Sequence, residues 1–375
     1  MSLLRDSKAY LKIIGINLTI LILFLFSPPL ILNFYRSFYP KFVRLFTQNF
    51  DERAFYPTYA NKKFSIRLFN EFQKTTAFYR SYIGWRRRKV SFKYTNISGP
   101  YNARKSKGEA INNSAWFFGG STMWGTGASD EQTIPSHFSS LTNNAVYNFG
   151  EAGWNSRQSV NQLISVIGDG HSPSVVIFYD GVNEVINQCR SEIKLVPAHH
   201  REKQIQNALN PPPLKNRISN YILSPYIAVA KKLRIKLPIF NFKEFDCDIN
   251  QDKALLIAQH LVNNWQTAFS LSKTKGFEFY GILQPTLFTT KTNSEYFASS
   301  KVKKNSELQI QYNIVYPLIL KEIERYCDFD RDFCLSMING TDWLDGTNNV
   351  FIDWCHVNSL GNKFIAQRLK LLLKI

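Results

Sequence analysis

From Ile13 to Leu32 the chain reads IIGINLTILILFLFSPPLIL, twenty positions without a charge. That is about the length of a single helical span, and the run lacks the polar face a core helix shows. Pro28 and Pro29 disfavour helix near its end. The pattern therefore predicts a helix from Tyr10 to Phe26, with the remainder lying at an interface. FSPPLILNFYRSF offers no small residues for a cleavage site. We read an uncleaved membrane anchor over residues 10–33, behind a tail of residues 1–9.

From residue 106 onward short apolar runs alternate with longer amphipathic ones. AWFFGG (115–120), AVYNFG (145–150), SVVIFYDG (174–181) and FEFYGILQP (277–285) predict buried strands ending in turn residues. SRQSVNQLISVIG (156–168), residues 252–272, 305–326 and Ser359–Leu373 predict helices. Such alternation indicates a three-layer α/β/α domain with a mostly parallel sheet over residues 106–375. Residues 190–250, centred on NPPPLKN, read as an insertion above the sheet. Ligands bind such sheets beyond the carboxyl ends of the strands. Polar residues cluster there: GGSTMWGTG (119–127), NFGEAGWNS (148–156), YDGVNE (179–184) and, near the C-terminus, FIDWCH (351–356).

Charge divides the chain differently. The formal net charge is +18, but residues 34–105 hold sixteen basic residues against three acids and account for +13 of it. The sheet domain is close to neutral, which excludes a nucleic-acid-binding core. Residues 34–105 also carry 20 of the 55 aromatic residues, most densely around GWRRRKVSFK (84–93). Beside a span, that mixture reads as a juxtamembrane segment meeting anionic lipid, or as a solvated face without a specific partner. Basic residues flank the span equally, so charge leaves its orientation open. The five cysteines form no C-x-x-C; Cys327 and Cys334 pair in an oxidising compartment, or all five stay free in a reducing one.

Ser121 follows a strand and two glycines, where a turn presents its hydroxyl. A serine nucleophile needs a base that a third group orients, and Asp353 and His356 are spaced for one loop to supply both. Donors for an oxyanion stand at the other strand ends: Ser121 N–H, Gly153 N–H and the Asn183 amide. Among His137, His171, His199, His200 and His260 no metal-ligand set is visible, and His199-His200 read as a solvated loop. Trp124 reads equally as pocket lining or core. A phosphate loop lacks its lysine, and the serine is not in a G-x-S-x-G elbow.

Together these blocks resemble the SGNH (GDSL-type) hydrolases, serine esterases and acyl-transfer enzymes on a flavodoxin-like fold. The resemblance spans residues 112–375 in the family's block order. It implies Ser121 as nucleophile, His356 as base, Asp353 as its orienter, and an oxyanion hole from Ser121, Gly153 and Asn183, without cofactor or metal. Two positions depart from the family pattern: Gly120 and Glu184 stand where the family often has Asp. The expected function is a membrane-anchored esterase acting on an O-acyl, above all O-acetyl, ester of a glycan or lipid. Its catalytic domain is expected outside the cytoplasm, as the family's envelope setting implies. An acyltransferase in polysaccharide O-acetylation would use the same residues, and a non-catalytic scaffold is the remaining alternative.

Overall fold

The computed structural model describes residues 14–21, 27, 31, 51–194, 196–211, 213–215, 223, 243–292 and 306–374. The chain divides into two compact units, residues 50–203 with 244–375, and residues 1–49 with 204–243. Most of the expected span at 10–33 lies outside the described residues. Residues 14–21 are helical with exposed side chains, and among the described residues no helix is long and apolar enough to cross a membrane.

Among the described residues the larger unit contains ten strands. They are β1 (Ala77–Arg80), β2 (Gly84–Arg87), β3 (Val90–Ser91), β4 (Asn96–Ser98), β5 (Ala103–Arg104), β6 (Ala115–Gly119), β7 (Val146–Asn148), β8 (Val175–Asp180), β9 (Glu278–Leu283) and β10 (Met337–Asn339). The helices, in chain order, are α1 (Lys62–Lys74), α2 (Ser121–Trp124), α3 (Ile134–Thr142), α4 (Ser156–Gly168), α5 (Val182–Gln188), α6 (Glu202–Leu209), α7 (Gln251–Lys275), α8 (Ser306–Cys327), α9 (Arg331–Ser336) and α10 (Ser359–Leu372). Helix α6 crosses from one unit to the other. Strands β1 and β2 form a separate hairpin. The other eight make one sheet in the order β10-β9-β8-β6-β7-β5-β4-β3. Its first five strands are parallel and its last three antiparallel.

The parallel strands are continuously apolar because both faces are covered. Along β6, Trp116 and Phe118 enter one core with Val160, Leu261 and Trp265, whereas Ala115 and Phe117 enter the other with Phe138, Ile365 and Leu369. Helix starts are fixed by side-chain caps. Asn155 and Gln158 cap each other's backbone N–H groups ahead of α4, and Asn358 accepts from Gly361 N–H ahead of α10.

The strands and helices expected beyond residue 106 are all present, but the sheet does not begin there. Strands β3, β4 and β5 extend its sheet back to Val90, and α1 packs Phe69 with Ala54, Tyr59 and Ile352. The basic, aromatic segment was expected at a lipid surface; from residue 51 onward much of it is interior. Arg86 and Arg104 are each 1% exposed. Arg104 donates to Asp130 and to the carbonyls of Trp124, Gly125 and Ala128. Arg86 donates to the carbonyls of Tyr101, Phe149 and Asn102. Trp124 is core, with the guanidinium carbons of Arg87 and Arg104 4.3 and 4.4 Å from its ring centre. These three arginines, Arg86, Arg87 and Arg104, serve cation–π packing and the satisfaction of buried carbonyls and carboxylates.

Two disulfides are present. Cys327 pairs with Cys334, and Cys189 pairs with Cys247, so the latter closes the foot of the insertion. Cys355 is free and buried.

Candidate active site

Strand order places the second, first and third strands of the parallel sheet side by side (β7, β6, β8), and each ends at the same edge. Helix α2 opens on Ser121, with Gly120 alone between it and β6. The loop before α10 brings the C-terminal residues to this serine. It is held by a bridge between Phe351 and Val357, by Ile352 N–H donating to His356 O, and by Thr122 Oγ1 donating to Cys355 O at 3.4 Å.

The result is a chain of hydrogen bonds. His356 Nε2 lies 2.6 Å from Ser121 Oγ, and His356 Nδ1 lies 2.7 Å from Asp353 Oδ2. Asp353 Oδ1 accepts the backbone N–H groups of Cys355 and His356 at 2.9 and 2.8 Å. Burial alone would push the Asp353 carboxyl up. The imidazole, those N–H groups and Arg53 outweigh it and hold the carboxyl well below its usual range. Asp353 thus stays ionised at any pH where the protein works, and fixes Nδ1 as the protonated nitrogen, leaving Nε2 to accept from the serine.

The three remaining blocks meet at Gly120. A Cβ there would collide with Asn183 Nδ2 and lie 3.5 Å from Trp154 O. This accounts for glycine where the family often has Asp. Asn183 Nδ2 donates to Trp154 O at 2.6 Å; a carboxamide has two N–H bonds, so this contact orients the second without consuming it. Ser121 N–H and Gly153 N–H donate to no acceptor among the described residues. Glu184, the second departure, accepts Gly181 N–H and Ser156 N–H. It is buried and braces the turn that carries Asn183.

Gly153 has φ +80°, and a Cβ on it would lie 2.6 Å from His200 Cε1. His199 is half-buried and His200 exposed, so this loop is solvated only in part. Both pack edge-on against Trp85, at 5.2 and 4.5 Å between ring centres, and burial lowers the affinity of both imidazoles for a proton. Sequence reasoning missed this aromatic group because Trp85 lies in the segment read as lipid-facing. It also missed Arg53, whose Nη1 donates to Asp353 Oδ2 at 2.9 Å across 300 residues.

Asp353, Cys355 and His356 offer donor atoms within 4.8 Å of one another. Asp353 and His356 spend theirs on each other, and burial holds the Cys355 thiol protonated. The set fits a proton relay better than a metal ion.

A flavodoxin-like strand order with a serine, an imidazole and a carboxylate in line defines the class of α/β serine hydrolases. Residues 116–369 match the family model described as GDSL-like lipase/acylhydrolase, and the chain belongs to that family. No curated protein matches. Among solved structures, a putative acylhydrolase from Bacteroides fragilis is 12% identical, with 72% of this chain and 90% of that chain covered and a TM-score of 0.38. A GDSL-like lipase from Bacteroides thetaiotaomicron is 11% identical, covering 70% and 88%, with a TM-score of 0.38. A catalytic mutant of an acetylxylan esterase from Geobacillus stearothermophilus is 9% identical, covering 71% and 95%, with a TM-score of 0.37.

Proposed function

We propose that the chain is a serine esterase that cleaves an O-acyl ester, foremost an O-acetyl group on a glycan and next a lipid ester. The observation that carries the reading is the line Ser121 Oγ, His356 Nε2, His356 Nδ1, Asp353 Oδ2, with gaps of 2.6 and 2.7 Å. His356 takes the serine proton as Ser121 Oγ bonds to the ester carbonyl carbon. The oxyanion is met by Ser121 N–H, Gly153 N–H and the free N–H of Asn183. His356 then protonates the leaving alcohol, giving an acyl-serine. Water, deprotonated by the same imidazole, releases the acid and restores Ser121.

The anchor at residues 10–33 and a catalytic domain outside the cytoplasm belong to the same proposal. Two disulfides support an oxidising compartment. Of the basic segment, Lys63, Arg67, Lys74 and Lys93 line a surface groove of about 680 Å³, and these are the cations we assign to anionic lipid.

The test is labelling of the full chain in detergent by a fluorophosphonate probe, followed by release of acetate from an acetylated oligosaccharide. Ser121→Ala and His356→Ala, shown to be folded, are expected to lose labelling. A folded wild-type chain that takes up no probe would sink the reading. A sugar acceptor that captures the acyl group in water would move the assignment to an acyltransferase.

A further inference from the structure

We propose that Arg53 is a positioning residue for the relay, fixing the Asp353 carboxylate in the plane of the His356 ring while Asp51 cancels its charge. The geometry is specific. Asp353 Oδ2 accepts from both His356 Nδ1 and Arg53 Nη1, and Oδ1 takes two backbone N–H groups. The carboxylate thus has four donors and no freedom to rotate. Arg53 is held in turn by both oxygens of Asp51, through Nε at 2.9 Å and Nη2 at 2.8 Å. Its guanidinium carbon lies 5.0 Å from the centre of the Phe69 ring. The turn that carries it is fastened to the catalytic loop independently, since Thr58 Oγ1 donates to Asn349 O at 2.7 Å.

Charges alternate along the line: Asp51 negative, Arg53 positive, Asp353 negative, then the imidazolium that forms as Ser121 attacks. An unaccompanied Arg53 would oppose that imidazolium; paired with Asp51 it orients Asp353 at almost no electrostatic cost. The other groups facing His356 are Ser121 from α2 and Cys355 from its own loop, with Glu52 and Tyr56 behind Arg53 and Tyr179, Tyr312 and Tyr316 behind Cys355. None of these is a cation, so Arg53 is the charge whose removal has a defined sign.

The inference rests on the esterase reading only for its kinetic arm. The full chain carrying ring-labelled histidine is titrated by NMR as wild type, Arg53→Met, Arg53→Lys and Asp51→Asn, with His356→Gln to assign the signal. Removing the cation is expected to move the His356 titration midpoint up, and removing the anion to move it down. Arg53→Lys keeps the wild-type midpoint. Fluorophosphonate labelling rates follow in parallel, with a fall of about tenfold in Arg53→Met and a partial rescue in Arg53→Lys. Opposite shifts of the two midpoints support the proposal. Unchanged midpoints and rates in folded variants overturn it, because a purely structural Arg53 would move neither. Shifted midpoints in a chain that never labels would remove the esterase reading and leave the Arg53 assignment standing.

Discussion

The carboxyl edge of the parallel strands and the antiparallel extension built from residues 51–105 are both polar, yet only the first could be read as a pattern. At the edge Ser121, Gly153 and Asn183 each follow an apolar strand within a few residues, and Asp353 and His356 share one short loop ahead of α10, so they stand out locally. In the extension, cations are everywhere and their fates differ. Arg86 and Arg104 are interior, whereas Lys63 and Lys74 are exposed. The difference lies in carbonyls supplied by distant turns, such as those of Phe149 and Ala128. Any residue type provides a carbonyl, so a buried arginine leaves no signature beside it in the chain.

That contrast can be broken experimentally. Arg104→Ala removes the buried donor to three carbonyls and the counter-charge of Asp130, and is expected to cost about 3–5 kcal/mol in urea unfolding. Ser121→Ala, at the opposite edge, should stay within about 1 kcal/mol of wild type; comparable losses in the two would erase the distinction.

A smaller effect follows from Asp180 at the end of β8. Burial, reinforced by Glu184, pushes this carboxyl well above its usual range. The unfolded chain ionises it near about pH 3.9, so above that pH the folded chain retains a proton the unfolded chain has shed. Wild-type stability is therefore lost as pH rises, and Asp180→Asn does not share this loss. The two stabilities should diverge as pH rises above about 4, by up to about 1.4 kcal/mol per pH unit, until the folded carboxyl ionises. Parallel pH profiles would show that Asp180 is ionised in its pocket.

Gly120→Ala probes the close approach to Asn183 rather than the fold. Its Cβ displaces the amide, and labelling is expected to slow about tenfold with little change in unfolding midpoint. The smallest change is expected from Lys63→Gln with Lys74→Gln. Stability should move by less than about 0.5 kcal/mol, while sedimentation with phosphatidylserine vesicles falls and with phosphatidylcholine vesicles does not. Unaltered binding to the anionic vesicles would detach the groove from lipid.

The sheet domain's first four parallel strands and its long helices were legible because each is a long enough apolar or amphipathic run. Strand β10, three residues long like β7, and β3–β5, at two or three each, lie in no longer apolar run closed by turn residues that would mark them. The triad was legible as a motif because Asp353 and His356 share one loop. Arg53 was not, since its partner is 300 residues away and an arginine next to Asp51 and Glu52 reads as a local ion pair. The Cys189–Cys247 pair was one of several open pairings, and only the fold brings those positions together.

That disulfide gives the insertion a single point of entry and exit. Its two cysteines are 58 positions apart, and closing such a loop in the unfolded chain is worth about 4 kcal/mol. A protease that cuts inside the loop therefore leaves one covalent molecule, which separates into two pieces only when reduced.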